Sequence, residues 1–324
     1  MKQAVRTTLF VASGFIVAVA FLSLGSELIT PGNIFSSLTG SGSEIDRSIV
    51  LGIRLPRLIM AAVLGASLAV SGAVFQSLLR NPLADPYIIG VSSGAALGAT
   101  VAIVLSLAYP LVVLSSFIGS GAAITAVHLV SRRLRMGSAT LILAGISVSF
   151  IFSSSVFLIY SLTSSEKVHK SLMWMMGDLS MSRPDLLAAV SGASVILMSV
   201  AWIFHRQLNI LSFGRSFARS HGVPGSSLNT LFWTASLLAA VSVTAGGIIG
   251  FVGLIVPHAA RALFGPDHVK LLPASAFGGA AFLVMADAIG RSIAPPYEIP
   301  VGVITSFFGG IFFIVYMMKR RAPD

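Results

Sequence analysis

Asp287 is the one acid set well inside an apolar stretch, directly after Phe282-Leu283-Val284-Met285-Ala286. An intramembrane carboxylate is by default a candidate for ion coupling, because hydrocarbon penalises a charge that is neither used nor paired. Arg291 follows at i,i+4, on the same helix face, so a structural ion pair is the stronger expectation. The histidines His128, His169, His205, His221, His258 and His268 never recur at three or four residues, so no metal site is expected. Cysteine is absent, which removes disulfides and thiolate ligands. No nucleophile–base set, paired carboxylates or G-x-x-x-x-G-K-[ST] phosphate loop occurs. Neither an enzyme nor a cofactor is expected, and energy for work must come from another chain or an ion gradient.

The elements that hold these residues are written for hydrocarbon. Charged residues make up 10% of the 324, against roughly 25% in a soluble protein. Thr7–Ser26, Leu58–Leu79 and Ile299–Met318 carry no charge and each reaches about 20 residues, the length of one crossing. Tyr87–Ser131 and Ser220–Ala260 are long enough for two crossings each. Breaks at Arg80-Asn81-Pro82, Tyr109-Pro110 and Gly246-Gly247 divide the chain into about ten predicted helices. These cover roughly 7–28, 57–79, 87–107, 111–130, 139–162, 186–204, 227–246, 250–264, 271–291 and 299–318. The apolar run after Lys2 and Arg6 continues past Ala18-Val19-Ala20, so it reads as an uncleaved first helix rather than a signal peptide.

The net charge of +10 is spread singly or in short clusters between apolar stretches, which fits topology signals rather than a nucleic-acid groove. Placing both termini in the cytoplasm puts most of the Lys and Arg inside, leaving Arg47, Arg54, Arg57, Lys167, Lys170, Arg183 and Arg291 outside. Small residues repeat every four positions at Ala61, Gly65, Ala69 and Ala73, at Gly90, Gly94 and Gly98, and at Gly302, Ser306 and Gly310. Such ridges let helix backbones approach closely in a bilayer. The fold class expected is an all-α polytopic membrane bundle, one domain over residues 1–324.

Long motifs then add a family. Ile53-Arg54-Leu55-Pro56-Arg57, Gly72-Ala73-Val74-Phe75-Gln76 and Asn81-Pro82-Leu83-Ala84-Asp85-Pro86 stand in the first half. Gly250-Phe251-Val252-Gly253-Leu254-Ile255-Val256-Pro257-His258, Leu272-Pro273, Ala286-Asp287 and Glu298-Ile299-Pro300-Val301-Gly302 follow in order. Together they resemble the FecCD-type ABC importer permeases, membrane subunits that import vitamin B12, haem and iron–siderophore complexes. The resemblance implies an inverted-repeat, type II importer fold and a homodimer of ten-helix subunits with a pathway along its axis. It further implies two ATP-binding subunits on the cytoplasmic side, an extracytoplasmic substrate-binding protein, and a bacterial or archaeal cytoplasmic membrane.

Site residues carry over position by position. Segment 205–226 matches the region that couples such permeases to their ATPase, with Leu211, Phe213, Arg215, Arg219 and Gly222 as its candidates. The plainer reading is a basic loop. Arg54, Arg57 and Arg291 match arginines that receive carboxylates of the binding protein, with Lys167, Lys170 and Arg183 as weaker additions; snorkelling or an internal pair with Asp287 is the alternative. Asn81, Leu83 and Ser138 fall in the gate region (81–83 and 137–140). Ser147, Ser154, Thr305 and Ser306 are pathway candidates, though hydroxyls in membranes also serve as interhelical hydrogen bonds. A secondary transporter driven through Asp287 is the competing function. The choice among ferric siderophore, haem and corrinoid stays open, with iron chelate favoured.

Overall fold

The computed structural model describes residues 2–23, 29–133, 138–180, 183–294 and 297–319, and all regular structure among them is helical. The chain opens with α1 (Lys2–Ser23), followed by short α2 (Pro31–Thr39) and α3 (Glu44–Ile49). A π-helical turn at Val50–Arg54 runs α3 into α4 (Leu55–Leu79). A 3-10 turn at Pro86–Ile89 precedes α5 (Val91–Val104), α6 (Tyr109–Arg133) and α7 (Ser138–Ser161). Next come α8 (Ser165–Met175), α9 (Pro184–Ile203), α10 (His205–Leu211) and α11 (Arg215–Ser220). The last four are α12 (Gly225–Gly246), α13 (Val252–Phe264), α14 (His268–Ser292) and α15 (Val301–Lys319).

Among the described residues, six helices are long and apolar enough to cross a membrane, and four shorter apolar ones lie in α1, α5, α13 and α15. These ten are the ten expected from the sequence. Three connections hold more structure than expected. In the loop after α1, Thr30 accepts from Asn33 N, Pro31 sits in the first turn and left-handed Gly40 stops α2. The loop after α7 contains α8, where Lys170 pairs with Glu166 at i,i+4 (2.6 Å) and Ser171 bonds Thr100 and Tyr160. The helix predicted from residue 87 begins only at Val91. Asp85 caps a tight turn through Tyr87 N, and Gly90 at φ 81° turns the chain before α5 can start.

Helix α4 is the hub. Of its most apolar window 78% is buried, against 22% in α7 and 17% in α9, so the latter two present their sides to lipid or to a partner. Close approach explains the difference. A Cβ on Gly65 would run into the backbone of Gly279, and one on Gly72 into Gly253, so α4 meets α14 and α13 backbone to backbone. Gly94 and Gly98 do the same for α5 against Gly119 and Ser115 of α6. Gly310, expected in such a ridge, has open space where its side chain would be. One buried cluster gathers around Phe21, Met60, Leu64 and Leu283. A second gathers around Phe75, Leu208, Leu211 and Leu231.

Candidate functional site

The antiparallel pair α4 and α14 carries a polar junction at each end. At the start of α4, Arg57 lies against Asp287 of α14 side-on, with Nε 2.9 Å from Oδ2 and Nη2 2.8 Å from Oδ1. Its third nitrogen, Nη1, donates to Glu298 at 2.7 Å. Arg291 approaches the same Asp287 carboxylate at 3.3 Å, donates to Phe21 O and lies 4.1 Å over the Phe21 ring. Arg54, in the π-helical turn, donates to Leu22 O at 2.6 Å. Thus three arginines, from the π-helical turn, α4 and α14, gather at one acid and the last turn of α1.

This geometry changes the expectation for Arg54, Arg57 and Arg291. Docking candidates whose alternative is an internal pair with Asp287, they are only 4%, 7% and 7% exposed. Arg57 and Arg291 make the internal pair because Asp287 sits 2% exposed and a carboxylate there needs charge compensation, while Arg54 bonds carbonyls at the end of α1. Glu298, by contrast, keeps half its side chain in the open. Two guanidinium groups committed to Asp287 support a structural rather than proton-relaying role for that acid. Of the weaker docking candidates, Lys167 donates to Val104 O, Lys170 pairs with Glu166, and Arg183 is exposed.

Some 20 residues along α4, roughly 30 Å away, the second junction holds the candidate coupling segment to the bundle. Asn209 of α10 donates from Nδ2 to Asp267 Oδ1, which fixes its Oδ1 toward His268. That oxygen accepts from His268 N at 2.9 Å and faces ring Nδ1 at 2.6 Å. The other ring nitrogen, Nε2, lies 2.6 Å from the Ser77 hydroxyl at the end of α4. Asp267 also caps α14 through Val269 N, and Asn209 is the first cause that holds its carboxyl below the usual range. Nearby, Gln76 donates to Gly253 O and Leu254 O and accepts from Arg261, clamping α4 to α13. Sequence reasoning missed this network; its members lie as far apart as Ser77 and His268, and nothing in the spacing pairs them.

Within segment 205–226, Leu208 and Leu211 are fully buried and anchor α10. Gly214 at φ 122° separates α10 from α11. Phe213 is 70% and Phe217 41% exposed, their rings 5.4 Å apart, and His221 stacks on Phe217 at 3.8 Å. This aromatic strip points away from the bundle. Arg215 and Arg219 leave α11 on the other side, toward a cavity against the bundle. Gly222 is left-handed at φ 77° and ends the segment's turn.

The pathway and gate candidates are dispersed. Ser147 and Ser154 sit on the uncovered side of α7, and Ser306 is exposed on α15. Thr305 is fully buried and its hydroxyl donates to Gly302 O within its own helix. Asn81 accepts from Leu83 N in a tight turn, leaving Leu83 half-exposed against Leu254, His258 and Phe312. Ser138 opens α7, but its side chain and Gly137 lie outside the described residues.

The FecCD transport family matches residues 11–319. The chain belongs to the FecCD transport family. A FecCD relative, the cobalamin import system permease protein of Halobacterium salinarum, is 42% identical over 86% of this chain and 75% of its own. The hemin transport system permease protein of Yersinia pestis is 37% identical over 84% of each chain. A metal-chelate-type ABC transporter solved in an inward-facing conformation superposes with TM-score 0.86 at 31% identity, covering 96% of this chain and 97% of that one. The all-α, type II importer fold expected from the motifs is therefore the fold of this FecCD protein. It is a multi-pass permease subunit of an ABC transporter.

Proposed function

We propose that this permease works as a homodimer that carries a large metal chelate into the cytoplasm, powered by two separate ATP-binding subunits and loaded by a substrate-binding protein. The observation that carries the reading is the build of segment 205–226. Its aromatic strip is free for a partner, while Asn209, Leu208 and Leu211 tie its base to α14 and the bundle core. A force applied to Phe213 and Phe217 thus reaches α14 and α4 directly, which is what an ATPase-driven gate needs. The basic residues support a topology with both termini and this segment cytoplasmic, placing the Arg57 junction outside.

Docking at that outer end would then work by exchange. Arg57 already holds the half-exposed Glu298, so an incoming carboxylate of the binding protein competes with Glu298 rather than finding an open guanidinium. The uncovered sides of α7 and α15, with Ser147, Ser154 and Ser306, would face a second copy across the pathway. Relatives are named for cobalamin, hemin and Fe(3+)-citrate import; an iron chelate is our preferred cargo, with corrinoid next.

The test is uptake into proteoliposomes containing the permease, its ATPase and its binding protein. Labelled cobalamin, haem and a ferric siderophore are presented in parallel, with a hydrolysis-dead ATPase as control. Uptake of one cargo that vanishes with the dead ATPase is expected. Uptake that survives it, or that follows an imposed proton gradient, would overturn the reading in favour of ion coupling through Asp287.

A further inference from the structure

A cavity of about 960 Å³ opens between α11 and the membrane helices at the end of the bundle that carries the coupling segment. Its floor is apolar, made by Phe75, Leu78 and Leu79 of α4, Leu141 of α7 and Phe232 of α12. Its upper wall is cationic. Arg215 and Arg219, one turn apart on α11, both line it, and no Asp or Glu is among the described residues that do. Neither arginine has an ion-pair partner among the described residues, and Arg215 Nε is buried without a hydrogen-bond partner. Burial, followed by repulsion from Arg219, lowers the proton affinity of Arg215, as expected of two uncompensated cations side by side.

The first turn of α12 adds to the same sign. Gly225, Ser226 and Asn229 line the cavity, and the helix has no side-chain cap at Pro224. The positive end of the α12 dipole therefore lies at the cavity wall, beside the two arginines. An anion is wanted at the top and hydrocarbon at the bottom. A basic pocket between membrane helices at the bilayer surface meets that demand with one class of molecule.

We propose that this cavity is a binding site for an anionic phospholipid, its phosphate held by Arg215, Arg219 and the start of α12 and its acyl chains lying on Phe75, Leu78 and Phe232. The apolar floor selects a lipid over free phosphate, which would leave it unfilled. The site wedges a lipid between the coupling segment and the bundle. Phe213 and Phe217, on the opposite side of α11, stay free for a protein partner. The inference rests on membrane embedding and not on the cargo or the ATPase.

Full-length permease purified in mild detergent is examined by native mass spectrometry with phosphatidylglycerol, phosphatidylcholine of identical chains, or inorganic phosphate. Phosphatidylglycerol is expected to be retained at least about tenfold better than phosphatidylcholine. Arg215→Gln/Arg219→Gln should abolish that preference. Lys270→Gln, which removes an exposed cation outside the cavity, should preserve it. Arg219→Gln alone alters an exposed side chain and decides the matter if the double variant fails to fold. Equal retention of the two lipids, an unchanged preference in the arginine variants, or displacement of the lipid by inorganic phosphate would overturn the proposal. No transport is measured, so failure here leaves the importer reading intact, and failure of uptake leaves the lipid site intact.

Discussion

The Arg57–Asp287 pair shows how a membrane protein makes a buried acid tolerable. Both of Asp287's oxygens accept from Arg57, and Arg291 stands at 3.3 Å on the other side. Removing Asp287 leaves buried Arg291 without its acid and Arg57 with only the half-exposed Glu298, and removing Arg57 leaves Asp287 with Arg291 alone at 3.3 Å. Asp287→Ala and Arg57→Ala should each cost about 3–5 kcal/mol, read as loss of thermal stability of the detergent-solubilised permease. Arg57→Met, Asp287→Leu and Arg291→Met combined should recover much of the loss, because Arg291 shares the same acid and would otherwise stay buried without it; a triple variant as unstable as the singles would reject this account. Glu298→Gln, at the half-exposed edge of the same cluster, should leave stability nearly unchanged while strengthening binding-protein capture, measured by co-sedimentation. At the other junction the sign of the pH effect follows from Asp267. Its carboxyl is held below the usual 3.8 by Asn209, so its contribution is present above that value and lost as pH falls through the lower folded value. Amide exchange in 205–211 should therefore quicken below about pH 4, and Asn209→Ala should remove most of that pH dependence.

Between elements, the glycines of α4 decide how closely the helices approach. Gly72→Ala puts a methyl into the Gly253 backbone of α13, and Gly65→Ala puts one into Gly279 of α14. Neither neighbour is a side chain that can rotate away, so each should destabilise by about 1–3 kcal/mol. Gly121→Ala on α6 meets open space and should be neutral within about 0.5 kcal/mol, which thermal unfolding of the three variants would check. The α4 and α5 ridges were legible in the sequence because small residues at i,i+4 favour close helix approach in lipid, although Gly310 stands at the same spacing and meets open space. The ten crossings were legible too, since 20 uncharged residues have one home. The arginine positions came from motifs, but their burial did not. Arg57 and Asp287 are 230 residues apart, and a sequence pattern that places both near helix ends says nothing about which face each turns inward. Helix α8 was missed for a different reason. Its 11 residues are amphipathic and carry three charged side chains, and their polarity read as loop although Ser171 is fully buried.

On the scale of the whole molecule, the proposed coupling would make segment 205–226 a lever and the tightly packed unit of α4, α13 and α14 its load. Asn209, Asp267, His268 and Ser77 join them through a continuous run of hydrogen bonds of 2.6–2.9 Å. The free end of the lever is aromatic, and Phe is among the residues enriched at the core of protein interfaces. Phe213→Ala/Phe217→Ala should therefore weaken capture of the ATPase by about 10- to 100-fold, measured by titrating it onto the reconstituted permease. The same variant should fold as stably as the parent, because neither ring is part of a buried cluster. Asn209→Ala should do the opposite, leaving ATPase capture intact while lowering cargo uptake per ATP hydrolysed, since the partner would then move a lever detached from its load. If both variants lost capture equally, the hydrogen-bonded junction would be part of the docking surface itself and not the link behind it.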